Sequence, residues 1–164
     1  MDDNRYAPPK ANVEGVPAEA ADAPPLWNPN AAACWSLVFT PILGTWLHWT
    51  NWSALGEAER TASARLWLIA SVVVTLASSL VVMGGIRAPG TLRLLNFGYL
   101  LAWYVVGARP QARWVKERLG TAYPRRGWAL PLLIATGVMI VAFFAIAYVI
   151  ATSGEATTPI SAGR

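Results

Sequence analysis

Between Leu66 and Ile86, and again between Trp128 and Ala151, the chain carries no charged side chain. Each run is longer than the roughly 18 apolar residues that mark a transmembrane helix candidate. In lipid the backbone finds no water to bond, so an open chain crosses it as a helix, whose hydrogen bonds close within the segment. The composition agrees with a non-aqueous solvent. The chain is 55% hydrophobic and 13% charged, against about 25% charged in an ordinary soluble domain. The two runs therefore predict an all-α, polytopic helical membrane protein.

Two further segments extend this architecture. Residues 31–49, AAACWSLVFTPILGTWLHW, are about 28 Å long as a helix and only just span a bilayer core. Pro41 and Gly44 lie inside them. Proline removes a hydrogen bond to the preceding turn, so this segment is either a kinked crossing or a re-entrant hairpin. Residues 89–108 form the third span, with Arg93 and Asn96 near its start. The long stem of Arg93 reaches the headgroups from there. The expectation is about four transmembrane or membrane-embedded helices, over 31–49, 66–86, 89–108 and 128–151, within a membrane domain of residues 26–151.

Between the spans lie polar stretches. Residues 50–65, TNWSALGEAERTASAR, read as a short solvated connection, with Ser53 as a helix cap, Gly56 as a break and a partial helical turn leading into the next span as an alternative. Gly84 and Gly85 loosen the end of the second span, ahead of a tight turn at Arg87, Pro89 and Gly90. Residues 109–127 contain Arg109, Arg113, Lys116, Arg118, Arg125 and Arg126 against the single Glu117. Trp114, Val115 and Leu119 interleave with these cations, so Pro110 to Leu119 reads as a short amphipathic helix at the membrane surface. Residues 1–25 are acidic and rich in Pro and Ala, which predicts a disordered tail rather than a signal peptide. Asn28 or Asn30 caps the helix that follows. Residues 152–164 form a short polar tail.

Charge placement sets the expected orientation. With four crossings, residues 50–65 and 109–127 share a side, and together they hold most of the basic residues near a membrane edge. The positive-inside rule puts that side in the cytoplasm and the C-terminus outside, in the periplasm. A re-entrant first segment leaves this unchanged and moves only the N-terminus, whose side stays open. The net charge of +4 is thus a topology signal and not a nucleic-acid footprint. The nine tryptophans fall mostly at the edges of apolar runs, as an interfacial belt does; Trp35 and Trp103 are equally well explained as core.

Few residues offer chemistry. The chain has one His, His48, and one Cys, Cys34, and no carboxylate inside an expected span. No HExxH, GxSxG, CxxC, P-loop or GxGxxG occurs. That pattern predicts no enzyme, no metal and no cofactor. With no second His and no carboxylate before Glu57, His48 reads as a packing residue. Ser71, Thr75 and Ser79 recur every four residues and so share one helix stripe. Such a stripe serves helix packing or, as the sharper alternative, lines a translocation path. The cations Arg109, Arg113, Lys116, Arg118, Arg125 and Arg126 are candidates for anionic lipid headgroups, at about 1 kcal/mol each, or for an acidic protein partner. The simpler reading gives them topology alone.

The stretches NPNAAACWSLVFTPILGTWLHWTNWSALGE and VKERLGTAYPRRGW, with the opening RYAPPKANVE, resemble small uncharacterised integral membrane proteins of Gram-negative proteobacteria. The resemblance implies a bacterial inner membrane and no activity or catalytic residues. The expected function is that of a non-enzymatic inner-membrane protein working through protein or lipid contacts, as an accessory subunit or an immunity-type partner, with the lipid bilayer, a protein or a second copy as partner. A small channel or transporter component is the alternative.

Overall fold

A computed structural model describes residue 20 and residues 22–84 and 89–155. Most of the N-terminal tail, residues 85–88 with Arg87 of the expected turn, and residues 156–164 lie outside the described residues, while Pro89 and Gly90 of that turn are already helical. Among the described residues every regular element is helical: α1 (Pro29–Val38), α2 (Pro41–Ala54), α3 (Ala58–Met83), α4 (Pro89–Trp103), a π-helical turn (Tyr104–Ala108), α5 (Arg109–Leu119) and α6 (Ala129–Glu155). Two of these, α3 and α6, are long and apolar enough to cross a membrane. The expectation of four spans is not met as four such helices.

The first segment shows why. The residue before a proline is pushed out of the helical region into extended backbone. Thr40 accordingly sits at φ −153°, ψ 159° ahead of Pro41, which occupies the first turn of α2, where its missing N–H costs nothing. Pro41 thus does more than kink the segment. It divides the segment into two short helices that fold back side by side, so that His48 of α2 reaches Pro29 at the start of α1. Gly44 lies at the closest approach. A Cβ there would overlap the Ser36 hydroxyl and sit 3.1 Å from the Ala32 carbonyl and 2.7 Å from the Trp103 ring. At the other end of α1 the Asn28 side chain accepts from the Asn30 and Ala31 N–H groups, the expected cap.

The polar stretch 50–65 is helical over more of its length than the partial turn expected there. The helix α2 runs through Ser53, which is therefore no cap, to Ala54. It stops at Gly56, whose φ of +72° suits a residue without Cβ. The Gly56 N–H bonds the Ser53 carbonyl and the Glu57 N–H the Trp52 carbonyl, the Schellman closure. Only residues 55–57 separate α2 from α3.

From Pro89 to Leu119 the backbone is helical throughout. The widened turn at 104–108 precedes Pro110, which has no N–H for the Val106 carbonyl and whose ring crowds it. The helix responds by bonding the Arg109 N–H to the Tyr104 carbonyl, five residues back, as π turns do. Beyond it, Gln111, Val115 and Leu119 form the buried stripe of α5, so the expected amphipathic helix continues α4 directly.

Burial is inverted relative to a water-soluble protein. Leu66, Leu76 and Leu80 on α3, Leu94 and Leu95 on α4, and Leu130, Leu133, Phe143 and Phe144 on α6 are all more than half exposed. Thr45, His48, Asn51, Ser71 and Gln111 are at most 2% exposed. Apolar surface on this scale is foreign to soluble monomers and natural against lipid tails. The long helix α6 meets α3, and its Leu132 and Ala135, with Trp128 just ahead of it, pack on Trp27, Ala32, Leu43 and Leu47.

Candidate functional site: an arginine-rimmed cavity at the basic end

The base of the α1–α2 hairpin, the start of α5 and residues 123–127 come together at one end of the molecule. Leu26 lies beside Arg125 in a short parallel bridge, its N–H donating to the Pro124 carbonyl and its carbonyl accepting from the Arg126 N–H. The Asn51 amide clasps the next residue from both sides. It accepts from the Trp27 N–H at 3.0 Å and donates to the Trp27 carbonyl at 2.8 Å. Gln111 completes the link by donating to the His48 carbonyl at 2.9 Å and accepting from Asn51 at 3.4 Å. Beneath them Leu26, Val115, Leu119 and Tyr123 form a small apolar core. Burial pushes the Tyr123 phenol above its ordinary range, against the opposing charge of Arg125.

Next to this knot, between α2, α3, the π turn and α5, opens a cavity of about 410 Å³. Its inner end holds the buried Thr45 and His48. Its walls are indoles, those of Trp52, Trp67, Trp103 and Trp114, and its outer end carries Arg60, Arg109, Arg113 and Glu117. Gly107 makes room for the Trp103 ring, since a Cβ there would stand 2.9 Å from its Cδ1. Arg60 is seated over Trp52 at 4.9 Å and over Trp114 at 5.8 Å, with Glu57 at 3.8 Å from its Nε. Among the described residues Arg109 and Arg113 have no carboxylate within ion-pair distance. One turn apart on α5, they face the same opening.

Two buried side-chain atoms among those described have no hydrogen-bond partner, His48 Nδ1 and Trp114 Nε1. Both belong to residues that line this cavity. The other His48 nitrogen, Nε2, stands 3.2 Å from the Pro29 carbonyl and can meet that acceptor only as a donor. In the neutral ring this leaves Nδ1 as a bare acceptor.

The six basic residues singled out in the sequence divide among different tasks. Arg109 and Arg113 reach the cavity. Arg118 lies over Trp114, Arg125 over Tyr123 and Arg126 over Trp27, at 5.0, 5.7 and 4.6 Å, and Lys116 is exposed. The hydroxyl stripe also divides. Ser71 is buried between helices, accepting from Thr45 at 3.2 Å and lying 2.7 Å from the Tyr99 hydroxyl. Ser79 donates back to the Thr75 carbonyl of its own helix, and Thr75 borders an apolar groove with Phe39, Ile42 and Pro131.

Sequence reasoning missed Arg60, Asn51 and Gln111, and gave His48 only a packing role. The available signal was Gln111, an uncharged polar residue in register with Val115 and Leu119 on the apolar face of a basic helix. Among the described residues no group of His, Cys, Asp and Glu could hold a metal ion. Comparisons with protein-family models, with curated proteins and with solved structures find no match to this chain.

Proposed function

We propose that the chain is a non-enzymatic, multi-pass protein of a bacterial inner membrane that works through contacts with anionic lipid at the cytoplasmic face. In this reading α3, the α4 and π-turn segment, and α6 cross the bilayer, while α1 and α2 re-enter from one side. The observation that carries it is the closure of both hairpin ends, Trp27 and Asn51, on one another and on Gln111 of the basic helix. Entry and exit then lie on the side that holds residues 109–127. The positive-inside rule makes that side cytoplasmic, together with the N-terminal tail, and leaves the C-terminus in the periplasm.

Anionic lipid fits the same end. Cations beside a membrane attract such headgroups at about 1 kcal/mol each, and Trp27, Trp52 and Trp114 sit among them where indoles anchor proteins at an interface. The test pairs topology with lipid. Reporters that report only from the cytoplasm or only from the periplasm, fused at each terminus, are expected to place the N-terminus inside and the C-terminus outside. Purified in mixed nanodiscs, the protein should enrich anionic over zwitterionic lipid, and Lys116→Gln with Arg118→Gln and Arg125→Gln should reduce that enrichment. A periplasmic N-terminus, or lipid composition unaffected by the triple variant, refutes the reading. A co-purifying protein that requires the same three residues would favour a protein partner instead.

A further inference from the structure

We propose that the cavity between α2, α3 and α5 is a binding site for a phosphate ester that carries hydroxyl groups, presented as the headgroup of a membrane lipid. The inference rests on the lipid-contact reading above and gives it a site and a ligand chemistry.

Three independent features converge on this class. Arg109 and Arg113 present guanidinium groups, unpaired among the described residues, one helical turn apart at the opening, and guanidinium is suited to bidentate contact with phosphate. Arg60 joins them, held in place by its stacking on Trp52 and Trp114. The orphaned Trp114 Nε1 and His48 Nδ1 are both closed to solvent, so a ligand reaches them by a small shift of the cavity walls; Trp114 Nε1, a donor only, then calls for an acceptor such as a phosphoryl oxygen. The orphaned His48 Nδ1 calls for the opposite partner. Its ring partner Nε2 is committed to the Pro29 carbonyl, so Nδ1 accepts, and a hydroxyl supplies the missing proton.

An anion with no proton to donate, such as sulfate, would satisfy the arginines and the indole and leave His48 without a partner. A headgroup of phosphate plus polyol satisfies all of them. The cavity volume of about 410 Å³ falls within the roughly 300–1,000 Å³ of ligand pockets. Its apolar indole walls, at the end of the molecule where chain meets headgroup level, suit a ligand whose other end remains in the bilayer. Glu117, also at the opening, opposes the anion and is available to a further hydroxyl.

The experiment uses the full-length protein in zwitterionic phosphatidylcholine nanodiscs. It is titrated with phosphatidylglycerol, with phosphatidylmethanol, which has the same charge but no headgroup hydroxyl, and with free glycerol phosphate. Quenching or shift of the indole emission reports binding. Phosphatidylglycerol is expected to bind about tenfold more tightly than phosphatidylmethanol, the worth of one satisfied buried hydrogen bond. Arg113→Gln should weaken both, and His48→Phe should remove the difference between them. Because the two lipids are compared on the unaltered protein, the conclusion does not depend on either variant folding. Equal binding of the two lipids, or binding indifferent to Arg113→Gln, overturns the proposal. Glycerol phosphate matching phosphatidylglycerol overturns the lipid source. If enrichment of all anionic lipids persists while this discrimination is absent, the site is wrong and the lipid-contact reading stands; if the enrichment is absent too, both fall.

Discussion

At the scale of single residues, similar letters do unlike work. Pro41 and Gly44 both read as helix breakers in the sequence, yet only Pro41 acts as one. Gly44 is a packing glycine, because the Ser36 side chain and the Trp103 ring occupy the space a Cβ would need. Gly44→Ala is therefore expected to cost about 1–3 kcal/mol, the usual penalty of overpacking. Gly137, with open space around its Cα, provides the contrast. Gly137→Ala should be neutral or stabilise by about 0.4–1 kcal/mol through the reduced freedom of the unfolded chain. Denaturant unfolding in detergent micelles measures both, and equal effects would remove the packing argument. Nothing local in the sequence separates these glycines, since the difference lies in what another helix brings against each. Asn51 and Gln111 were hidden for the same reason. Each sits in a stretch with charged or polar residues, where a solvated side chain is the default expectation, and the partners, Trp27 for Asn51 and Asn51 with the His48 carbonyl for Gln111, are far away along the chain.

At the scale of elements, the apolar runs were legible because their solvent is uniform. A helix in lipid needs no specific neighbour to be recognised, so α3 and α6 lie close to the expected spans, with α3 extended to Ala58. Boundaries set by tertiary contact were not legible, among them the continuation of α2 to Ala54. The π turn was equally hidden, although Pro110 supplies its local cause. The stripe on α3 makes the difference measurable. Ser71 meets Thr45 and Tyr99 across two helix interfaces, whereas Ser79 bonds only within α3. Ser71→Ala should cost about 0.5–1.5 kcal/mol, the net worth of a buried hydrogen bond, since Thr45 and Tyr99 keep the Pro41 and Trp67 carbonyls as acceptors, and Ser79→Ala should stay well within about 0.5 kcal/mol. A flat response along the stripe, or a solute flux that depends on it, would return it to the role of a pore lining.

At the scale of the whole molecule, polar side chains converge inward at one end while the long helices turn apolar faces outward. In the proposed membrane this arrangement gives the α1–α2 hairpin a definite depth. Its ends are pinned near Trp27 and Asn51, and its tip, Phe39 and Thr40, borders the same groove as Thr75 and Val138, well along α3 and α6. Cys34 lies between those levels. Its side chain is exposed and shares an apolar groove with Leu37, Phe97 and Leu101. In water such a thiol would be open to any reagent, but in the proposed membrane its surroundings are acyl chains. As the sole cysteine of the chain it is a depth probe that needs no mutation. A charged, membrane-impermeant maleimide should leave Cys34 unlabelled in sealed vesicles of either orientation, whereas an apolar maleimide should label it in the same vesicles. Detergent that strips the lipid without unfolding the protein should then admit the charged reagent. Rapid labelling by the charged reagent from either face of an intact membrane would place α1 in water, and the re-entrant hairpin would have to be abandoned.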